Sequence, residues 1–461
     1  MEKAIKKQSL DMLNGPIWNK IPLFALPIAA TAMLEQLFNA SDIAVVGNFT
    51  AKAQRTAAVA AVGANSPVIG LIVNLFVGIA LGANVIIANA IGRDDKDSVQ
   101  KAVNTSIIMA LVGGFAVAII GELAAAPILS SLNVPDDVFP LALLYLRIYL
   151  IGMPVILLYN FEAAIFRSIG DTKVPLIALA ISGVLNVILN LFFVIVLKMN
   201  VNGVAIATVI SNTVSSAILF FRLIKTDKYI HLDIKNLHFS FSIFKRVLKI
   251  GLPAGIQSAV FSISNIIIQS AVNSLGTAVM AASSAAFNVE IFAYYVFNSF
   301  SQACTTFVGQ NYGAGKIDRC KKTLAISILE DAIASGTTIV IVLFFGRFLL
   351  SIFNNNHEVI ELGYMRLQVI FFAYIFSMLY EIMSGYMRGF GISLTPAILT
   401  TLGICGIRIV WIKTVFPNDP SFRTIMNVYP ISLASTAVLI FAALIIIRPS
   451  KRYGKKKDSK I

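Results

Sequence analysis

The sequence predicts an all-α integral membrane protein with twelve transmembrane helices, and three observations support this prediction. Of the 461 residues, 57% are hydrophobic and only 13% are charged, whereas soluble globular domains have about 25% charged residues. Apolar stretches recur along the chain, each close to the length of about 20 residues that crosses roughly 30 Å of hydrocarbon. The second half of the chain also repeats motifs of the first half. An ordinary soluble protein is therefore excluded.

The predicted spans are apolar runs bounded by Gly, Pro, Asn or charged residues. The second, eighth and tenth runs are longer than one crossing requires, so we expect those helices to tilt or to extend beyond the membrane. The runs lie near residues 22–46, 58–91, 103–125, 138–161, 174–197, 203–224, 251–273, 281–309, 323–346, 358–386, 393–416 and 425–447.

The basic residues are distributed as in a multi-pass protein of the plasma membrane. The chain has 37 Lys and Arg against 23 Asp and Glu, a net charge of +14. Most of the basic residues fall in the N-terminal segment, in every second loop and in the C-terminal tail, which the positive-inside rule places in the cytoplasm. Both termini are therefore predicted to be cytoplasmic. Because the charge reflects topology and contact with anionic lipid, no nucleic-acid partner is expected.

An internal repeat divides the chain into two halves. The segment FRSIGDTKVP, with Arg167, recurs 221 residues later as MRGFGISLTP, with Arg388, and Gly92 and Gly313 share this offset. Since each half has six spans, both enter the membrane in the same direction. We expect two six-helix bundles related by a pseudo-two-fold axis along the membrane normal, an arrangement typical of transporters.

The domain organisation follows from these spans. We expect a cytoplasmic N-terminal segment (1–20), an N-terminal bundle (21–224), a cytoplasmic linker (225–249), a C-terminal bundle (250–447) and a basic cytoplasmic tail (448–461). The protein is expected to be a monomer in the lipid bilayer.

Asp42 is the first candidate for binding a coupling ion. A carboxylate inside the bilayer costs about 2.5 to 3.5 kcal/mol on insertion scales, so its presence requires a reason. Glu35, Asn39 and Asp42 have the spacing of one helical face and predict a polar stripe. The second half has Ile268 at the place of Asp42, so the acid is not duplicated. The alternative is that Asp42 lies near the outer end of its helix and is merely solvated.

Two asparagines in the fifth span, Asn186 and Asn190, lie one turn apart on a single face. Paired amides can bind a cation or a substrate, or they can bridge helices through hydrogen bonds worth about 0.6 kcal/mol each. With Asp42, Glu35 and Glu162, they form the set of candidate ion-coupling residues.

Other polar residues inside the spans are candidates for substrate binding. Glu290 and Glu381 have an alternative role, since each could pair with an arginine or bond the backbone. An aromatic ring such as Tyr159 accepts a cation on its face, although most rings in membrane helices pack or face lipid. The candidates are Asn39, Asn160, Tyr159, Glu290 and Glu381.

Neither a metal site nor a cofactor is expected. Cys304, Cys320 and Cys405 are too scattered for a zinc site or a disulfide framework and are interpreted as packing residues. The three histidines lack ligand spacing, and the chain has no Walker lysine motif that would indicate direct use of ATP. No nucleophile with a neighbouring base indicates an enzyme.

The sequence resembles the multidrug and toxic compound extrusion (MATE) family over residues 10–447. The resemblance is carried by LNGPIWNKIPLFALPIAATAMLEQLFNASDIAVVGNF, by GQNYGAGK from Gly309 to Lys316, and by the doubled R-x-x-G-x-x-x-x-P motif. It is greatest to the bacterial, DinF-like branch that keeps an acid in helix one. The resemblance implies a V-shaped pair of bundles that exports amphiphilic, often cationic small molecules in exchange for H⁺ or Na⁺. It also places Asp42 in the coupling position.

The sequence departs from the family's pattern in both halves. Asn186 matches the asparagine of the N-x-x-x-D pattern in helix five, but Asn190 stands where many relatives have the aspartate. Phe261 and Ser377 occupy the positions at which another branch has acids in helices seven and ten. The expected ion site therefore depends on Asp42 alone or on Asp42 with the other acids of the first half.

Two other functions are weighed against ion-driven export. A flippase for a lipid-linked sugar would have a strongly cationic cavity, whereas the predicted intramembrane charges are mostly acidic. A non-transporting receptor or intramembrane enzyme has no supporting motif. Exchange follows from linkage, because an ion and a substrate that favour opposite-facing states are driven past each other by the ion gradient.

Overall fold

The computed structural model describes residues 10–51, 54–132 and 134–454. The predicted N-terminal segment and basic tail lie partly outside these ranges, at positions 1–9 and 455–461. The secondary structure of the described residues is helical and contains no β-strand. The predicted all-α membrane fold is therefore confirmed.

The described chain contains fifteen α-helices. Two π-helical segments, Phe192–Val196 and Thr401–Gly406, interrupt the regular hydrogen bonding near the middle of the chain and near its end. The helices are α1 (Lys20–Phe49), α2 (Arg55–Gly92), α3 (Lys96–Ser131), α4 (Phe139–Ile151), α5 (Met153–Ser168), α6 (Lys173–Leu191), α7 (Val201–Lys225), α8 (Phe241–Asn273), α9 (Thr277–Gly313), α10 (Ile317–Ser351), α11 (His357–Gly389), α12 (Leu394–Thr400), α13 (Ile407–Thr414), α14 (Phe422–Ile447) and α15 (Pro449–Gly454).

The described residues contain twelve candidate membrane spans when one bent helix pair is taken as a single span. Eleven helical segments are long and apolar enough to cross by themselves, and α4 with α5 forms the bent pair, at an angle of 50°. Gly152 lies at the break, and Pro154 in the first turn of α5 has no N–H with which to continue the hydrogen bonds of α4. The fourth predicted span, 138–161, is therefore bent, and it continues to Ser168.

Two compact units divide the chain, each made largely from one half. The first unit contains Ala30–Ile91 and Asp95–Gly251. The second unit contains Leu10–Ala29, Gly92–Asp94 and Leu252–Ile461.

The first helix of each half changes unit along its length. Helix α1 belongs to the second unit up to Ala29, and α8 belongs to the first unit up to Gly251. Pro27 and Pro253, which the sequence repeat pairs with each other, lie inside these two helices close to the changes of unit. Because each proline removes one helical hydrogen bond, both helices are locally weakened where they pass from one unit to the other.

The repeated motifs adopt the same backbone conformation in both halves. Gly170 has a φ of +87° and Gly391 a φ of +83°, in the left-handed region that glycine adopts without steric cost. In both turns, the N–H of the next residue donates to the carbonyl five residues earlier, at 3.0 Å. A second pair, Asp94 at +56° and Gly315 at +74°, has the same offset of 221 residues. The internal repeat of the sequence is thus also a repeat of turns.

Each unit has its own apolar interior. In the first unit, a large cluster contains Ile107 and Phe161, and the N-terminal turns of α8 pack closely on α2 because Gly82 lies against the backbone of Gly251. Such contacts between small residues are typical of membrane helix packing. In the second unit, the largest cluster contains the fully buried Phe371. Many large apolar side chains remain exposed, as expected of helices that span a membrane.

An N-terminal segment, Leu10–Ile17, is anchored within the second unit by hydrogen bonds. The guanidinium of Arg319 donates to three of its carbonyl oxygens, those of Met12 (3.1 Å), Asn14 (3.1 Å) and Gly15 (2.8 Å). The following turns of α1 continue the contact through apolar side chains that pack on α9. The GQNYGAGK motif and the residues after it therefore hold the start of α1, an arrangement that the sequence did not predict.

Candidate functional site

Asp42 is buried within the first unit, where side chains of α1, α6 and α7 meet. The residue is only 4% exposed. Nδ2 of Asn190 donates to its Oδ1 at 2.5 Å, and the hydroxyl of Thr208 donates to its Oδ2 at 3.0 Å. Both donors are neutral, so the carboxylate is hydrogen-bonded without being neutralised. The structure thus differs from the alternative of a solvated carboxylate at the outer end of the helix.

Asn186 completes this network, which we call the Asp42 site (Asp42, Asn186, Asn190 and Thr208). Its Oδ1 accepts from Nδ2 of Asn190 at 3.1 Å, and its own Nδ2 donates to the hydroxyl oxygen of Thr208 at 3.3 Å. Oδ1 of Asn190 is buried without a hydrogen-bond partner among the described residues. A buried acceptor of this kind is costly, and it lies beside a carboxylate that also lacks a countercharge.

Helix α6 presents the two amides to α1 because of its residue spacing. Gly183, Asn186 and Asn190 recur at intervals of three and four positions, so they share one face. Phe38 lies one turn before Asp42 on α1, and its ring occupies the space where a side chain at position 183 would lie. The glycine therefore permits the close approach through which Asp42 reaches Asn190.

Thr208 was not predicted from the sequence. A threonine in a membrane helix ordinarily bonds the carbonyl one turn earlier, and Thr208 does lie 3.0 Å from the carbonyl oxygen of Val204. Since a hydroxyl has a single proton, Thr208 can donate either to that carbonyl or to Asp42. Nothing in its sequence context distinguishes it from the other buried hydroxyl residues of α7.

The chemistry of the Asp42 site suits a small cation. Carboxylate, amide and hydroxyl oxygens are the ligands that hard cations prefer, and a carboxylate is also a proton acceptor. In the described chain, no basic side chain forms an ion pair or hydrogen bond with Asp42 that would compete with such a cation.

Glu35 and Glu162, also predicted to couple ions, lie outside this hydrogen-bonded network. Glu35 is exposed and interacts electrostatically with Arg167. Glu162 is fully buried, and its Oε2 accepts from the hydroxyl of Ser216 at 2.9 Å, while Oε1 has no partner among the described residues. The structure therefore joins Asp42 with the two asparagines and leaves the other two acids outside this hydrogen-bonded network.

Three predicted substrate-binding residues lie in the first unit and have different degrees of exposure. Asn39 is exposed. Asn160 is half-buried, and its Nδ2 donates to the carbonyl of Ile156 at 2.9 Å. Tyr159 is buried, with its hydroxyl 3.4 Å from the carbonyl of Pro175.

The two predicted substrate-binding acids of the second unit both lie near arginines. Glu290 accepts two hydrogen bonds from Arg366, at 2.7 and 2.8 Å, in an ion pair that is 5% exposed on each side. Glu381 is buried and is attracted to Arg388. Glu290 thus adopts the arginine pairing that the sequence analysis left open as its alternative role.

Several buried charged residues were not singled out from the sequence. Asp331 in α10 is fully buried, with Oδ1 accepting from Ser335 at 2.8 Å. Arg366 and Arg408 are 4% and 2% exposed, respectively. All three lie inside predicted spans, so the cost of a charge in the bilayer was the signal that could have identified them.

The described residues contain no group of three or more His, Cys, Asp or Glu side chains that could hold a metal ion. Cys304, Cys320 and Cys405 are all buried with free thiols. The buried polar groups that could bind an ion or a substrate are therefore carboxylates, amides, hydroxyls and guanidiniums.

Comparison with known proteins identifies the family. The family model described as MatE matches residues 27–192 and 253–412, one match in each half. The "Probable multidrug resistance protein YoeA" of Bacillus subtilis (strain 168) is 26% identical over 400 residues, which cover 85% of this chain and 86% of that protein. The "Multidrug export protein MepA" of Staphylococcus saprophyticus is 20% identical over 423 residues, with 92% of each chain covered.

A solved structure agrees with this assignment at the level of the fold. The outward-facing conformation of a multidrug resistance MATE family transporter of the MOP superfamily has a TM-score of 0.87, at 21% sequence identity, and covers 96% of this chain and 99% of that chain. Since the family model spans most of both halves, the chain belongs to the MATE family and is a membrane transporter rather than an enzyme.

Proposed function

We propose that this transporter exports amphiphilic, often cationic compounds across the plasma membrane by antiport with H⁺ or Na⁺. The observation that carries the proposal is the buried carboxylate of Asp42, whose hydrogen-bond donors, Asn190 and Thr208, are both neutral. A buried charge without a countercharge is unfavourable, so a proton or Na⁺ that neutralises it is stabilised. The names of the relatives, multidrug resistance and multidrug export proteins, support drug-like cargo.

The hydrogen bonds of the Asp42 site indicate how an ion would alter it. With Asp42 ionised, the hydroxyl of Thr208 and the amide of Asn190 both donate to the carboxylate. When a cation occupies the carboxylate, the Thr208 proton can turn to the carbonyl of Val204, 3.0 Å away. The site then has two hydrogen-bond arrangements, one with the cation bound to Asp42 and one without it. Antiport requires two such states, because the ion and the substrate must favour different ones.

The same proposal includes the orientation of the chain in the membrane and its oligomeric state. The basic residues of the N-terminal segment, of alternate loops and of the C-terminal tail support a cytoplasmic position for both termini. The Asp42 site is built from one unit of a single chain, so a monomer supplies the whole proposed ion site. We propose that the transporter needs its coupling ion, H⁺ or Na⁺, and no other cofactor.

Reconstitution into proteoliposomes tests the function and the identity of the ion. We expect efflux of a fluorescent amphiphilic cation, rhodamine 6G, when a pH gradient or a Na⁺ gradient is imposed separately. Asp42→Asn should abolish gradient-driven efflux without lowering thermal stability, because the amide has the same shape and removes a buried charge.

Asp97→Asn serves as the matched control, since the Asp97 side chain is 74% exposed and pairs only with Lys101. This variant should transport at the wild-type rate. Wild-type efflux rates from a well-folded Asp42→Asn variant would contradict the role of Asp42, and the absence of efflux from the wild type under both gradients would contradict the proposed function.

A further inference from the structure

Arg408 in α13 is buried in the second unit and is surrounded by neutral groups. Its Nε donates to the hydroxyl of Ser432 at 3.4 Å and its Nη1 to Oδ1 of Asn265 at 3.2 Å. The guanidinium also lies 4.4 Å from the ring centroid of Tyr429 and 5.4 Å from that of Phe261. No carboxylate in the described part of the chain forms an ion pair with it.

The two other buried arginines of this unit have acidic neighbours. Arg366 forms two hydrogen bonds with Glu290, and Arg388 is attracted to Glu381. Arg366 also lies 5.8 Å from the ring of Tyr429, so the guanidiniums of Arg366 and Arg408 both lie near this ring. The carboxylate of Glu290 neutralises Arg366 but does not pair with Arg408. The region around Tyr429 therefore carries one buried positive charge without a countercharge.

The geometry leaves one part of Arg408 available to a ligand. Two of its nitrogens have neutral acceptors, whereas Nη2 has no hydrogen-bond partner among the described residues. Arg408 itself is 2% exposed, whereas its neighbours on α8, Phe261 and Asn265, are half-buried. A planar guanidinium fork matches the two oxygens of a carboxylate or phosphate, and a half-buried phenyl ring is a surface for an aromatic group.

We propose that Arg408, with Asn265 and Phe261, binds the anionic group of an aromatic, carboxylate-bearing compound. This inference extends the substrate class of the proposed transporter. Transport of such a compound rests on the proposed function, whereas its binding does not. Arg408, which has no ion-pair partner among the described residues, selects for an anion, whereas Asp42 in the other unit selects for a cation. Compounds that carry a carboxylate on an aromatic ring are therefore bound as well as cations.

Binding to the purified full-length protein in detergent tests the proposal without any transport step. Fluorescein carries a carboxylate on an aromatic ring system, and rhodamine 6G has the same ring system with that carboxylate esterified and a positive charge. We expect the Kd for fluorescein, measured by anisotropy, to rise about tenfold in Arg408→Gln and to rise less in Arg408→Lys, which keeps the charge but loses the fork. The Kd for rhodamine 6G should stay within about twofold of the wild-type value.

Arg423→Gln is the matched control, because Arg423 is an exposed arginine at the start of α14. This variant removes the same charge and should leave fluorescein binding unchanged. An unchanged fluorescein Kd in folded Arg408→Gln would overturn the proposal. Loss of fluorescein binding on transfer from phosphatidylcholine to phosphatidylglycerol nanodiscs would instead assign the site to a lipid headgroup.

A measurement on the wild type alone keeps the proposal testable if Arg408→Gln does not fold. Sodium benzoate should raise the midpoint of thermal unfolding, because a ligand that binds only the folded state stabilises it. Benzamide, which is isosteric and uncharged, and sodium chloride at equal ionic strength should have no such effect. Equal midpoints in benzoate and benzamide would contradict an anion site, whatever the outcome of the efflux experiments.

Discussion

The ring of Phe38 on α1 lies against Gly183 on α6, in the space that a side chain at position 183 would occupy. One turn further along α1 and two turns further along α6, Asp42 accepts a hydrogen bond from Asn190. The glycine and the aromatic ring therefore set the distance between the helices at the Asp42 site. Membrane helices that approach closely depend on such small residues.

Gly183→Ala should separate α1 from α6 and impair the Asp42 site without touching any of its polar groups. An added methyl group would overlap the Phe38 ring, and overpacking of this kind costs about 1–3 kcal/mol. We expect a lower free energy of unfolding in an SDS titration and slower gradient-driven efflux.

The double variant Gly183→Ala/Phe38→Ala provides the control for this first prediction. Removal of the ring makes room for the methyl group, so the two substitutions should be strongly non-additive. Additive losses of stability in the double variant would show that the clash is not the cause.

The contrast between Glu290 and Glu361 yields a prediction about burial. Both acids pair with an arginine through two hydrogen bonds of similar length, Glu290 with Arg366 and Glu361 with Arg347. The Glu290 pair is 5% exposed on each side, whereas the side chains of the Glu361 pair are 41% and 58% exposed. Breaking a buried pair leaves an uncompensated charge and costs about 3–5 kcal/mol.

Glu290→Gln should therefore lower the midpoint of thermal unfolding clearly, while Glu361→Gln should have no measurable effect. Replacing both members of the buried pair, in Glu290→Leu/Arg366→Met, should recover most of the loss because no charge remains unpaired. Equal shifts for the two single variants would mean that burial is not what distinguishes the pairs.

Acidification should loosen the N-terminal segment through Asp11. Partial burial acts to raise the pKa of Asp11, but hydrogen bonds from the Asn14 side chain and from the N–H groups of Leu13 and Asn14 outweigh it, and the pKa lies below its usual value. A carboxyl whose pKa is lowered by folding stabilises the folded segment at pH values above the unfolded pKa of about 3.9. This contribution is lost as the pH falls through the lower, folded value.

The fluorescence of Trp18, which follows the N-terminal segment, reports on this change once Trp411 is replaced by Phe. We expect the emission to be constant from pH 7 to about pH 5 and to change below the unfolded pKa. Asp11→Asn should show the acid-type emission already at pH 7. A pH profile that is identical in the wild type and in Asp11→Asn would exclude Asp11 as the titrating group.

The sequence identified features that depend on local pattern and missed those that depend on which helices meet. The turns at Gly170 and Gly391 were predictable, because a motif with a glycine at a fixed place recurs at a constant offset. The pairing of Asn186 with Asn190 follows from helical spacing. In contrast, Thr208 reaches Asp42 across 166 positions of the chain, and no periodicity within one helix contains that information.

The burial of charged and polar residues was likewise not predictable from the sequence of one helix. The sequence placed Glu35, Asn39 and Asp42 on one face, yet the structure buries Asp42 and leaves Glu35 and Asn39 exposed. Exposure depends on the neighbouring helices, which a spacing rule for a single helix does not describe. Arg408 likewise lies within a predicted span, but its lack of an acidic neighbour is visible only in three dimensions.

Gly170→Ala and Gly391→Ala should destabilise the protein to a similar extent, because the repeat gives both glycines the same role. Their φ angles of +87° and +83° lie in the region where an L residue with a side chain pays about 1–2 kcal/mol. We expect each variant to lose that amount in an SDS unfolding titration. Gly70→Ala and Gly336→Ala are the controls, one in each unit, since both glycines are helical with open space around the position of an added methyl group.

The controls should be unchanged or slightly stabilised, as alanine is the better helix former by about 0.5–1 kcal/mol. A loss confined to one of the two turn variants would show that the halves use this turn differently. The two turn variants thus test whether the turns repeated at an offset of 221 residues contribute equally to stability as well as sharing one geometry. If each half folds around the same turn, the same backbone strain must appear at both positions.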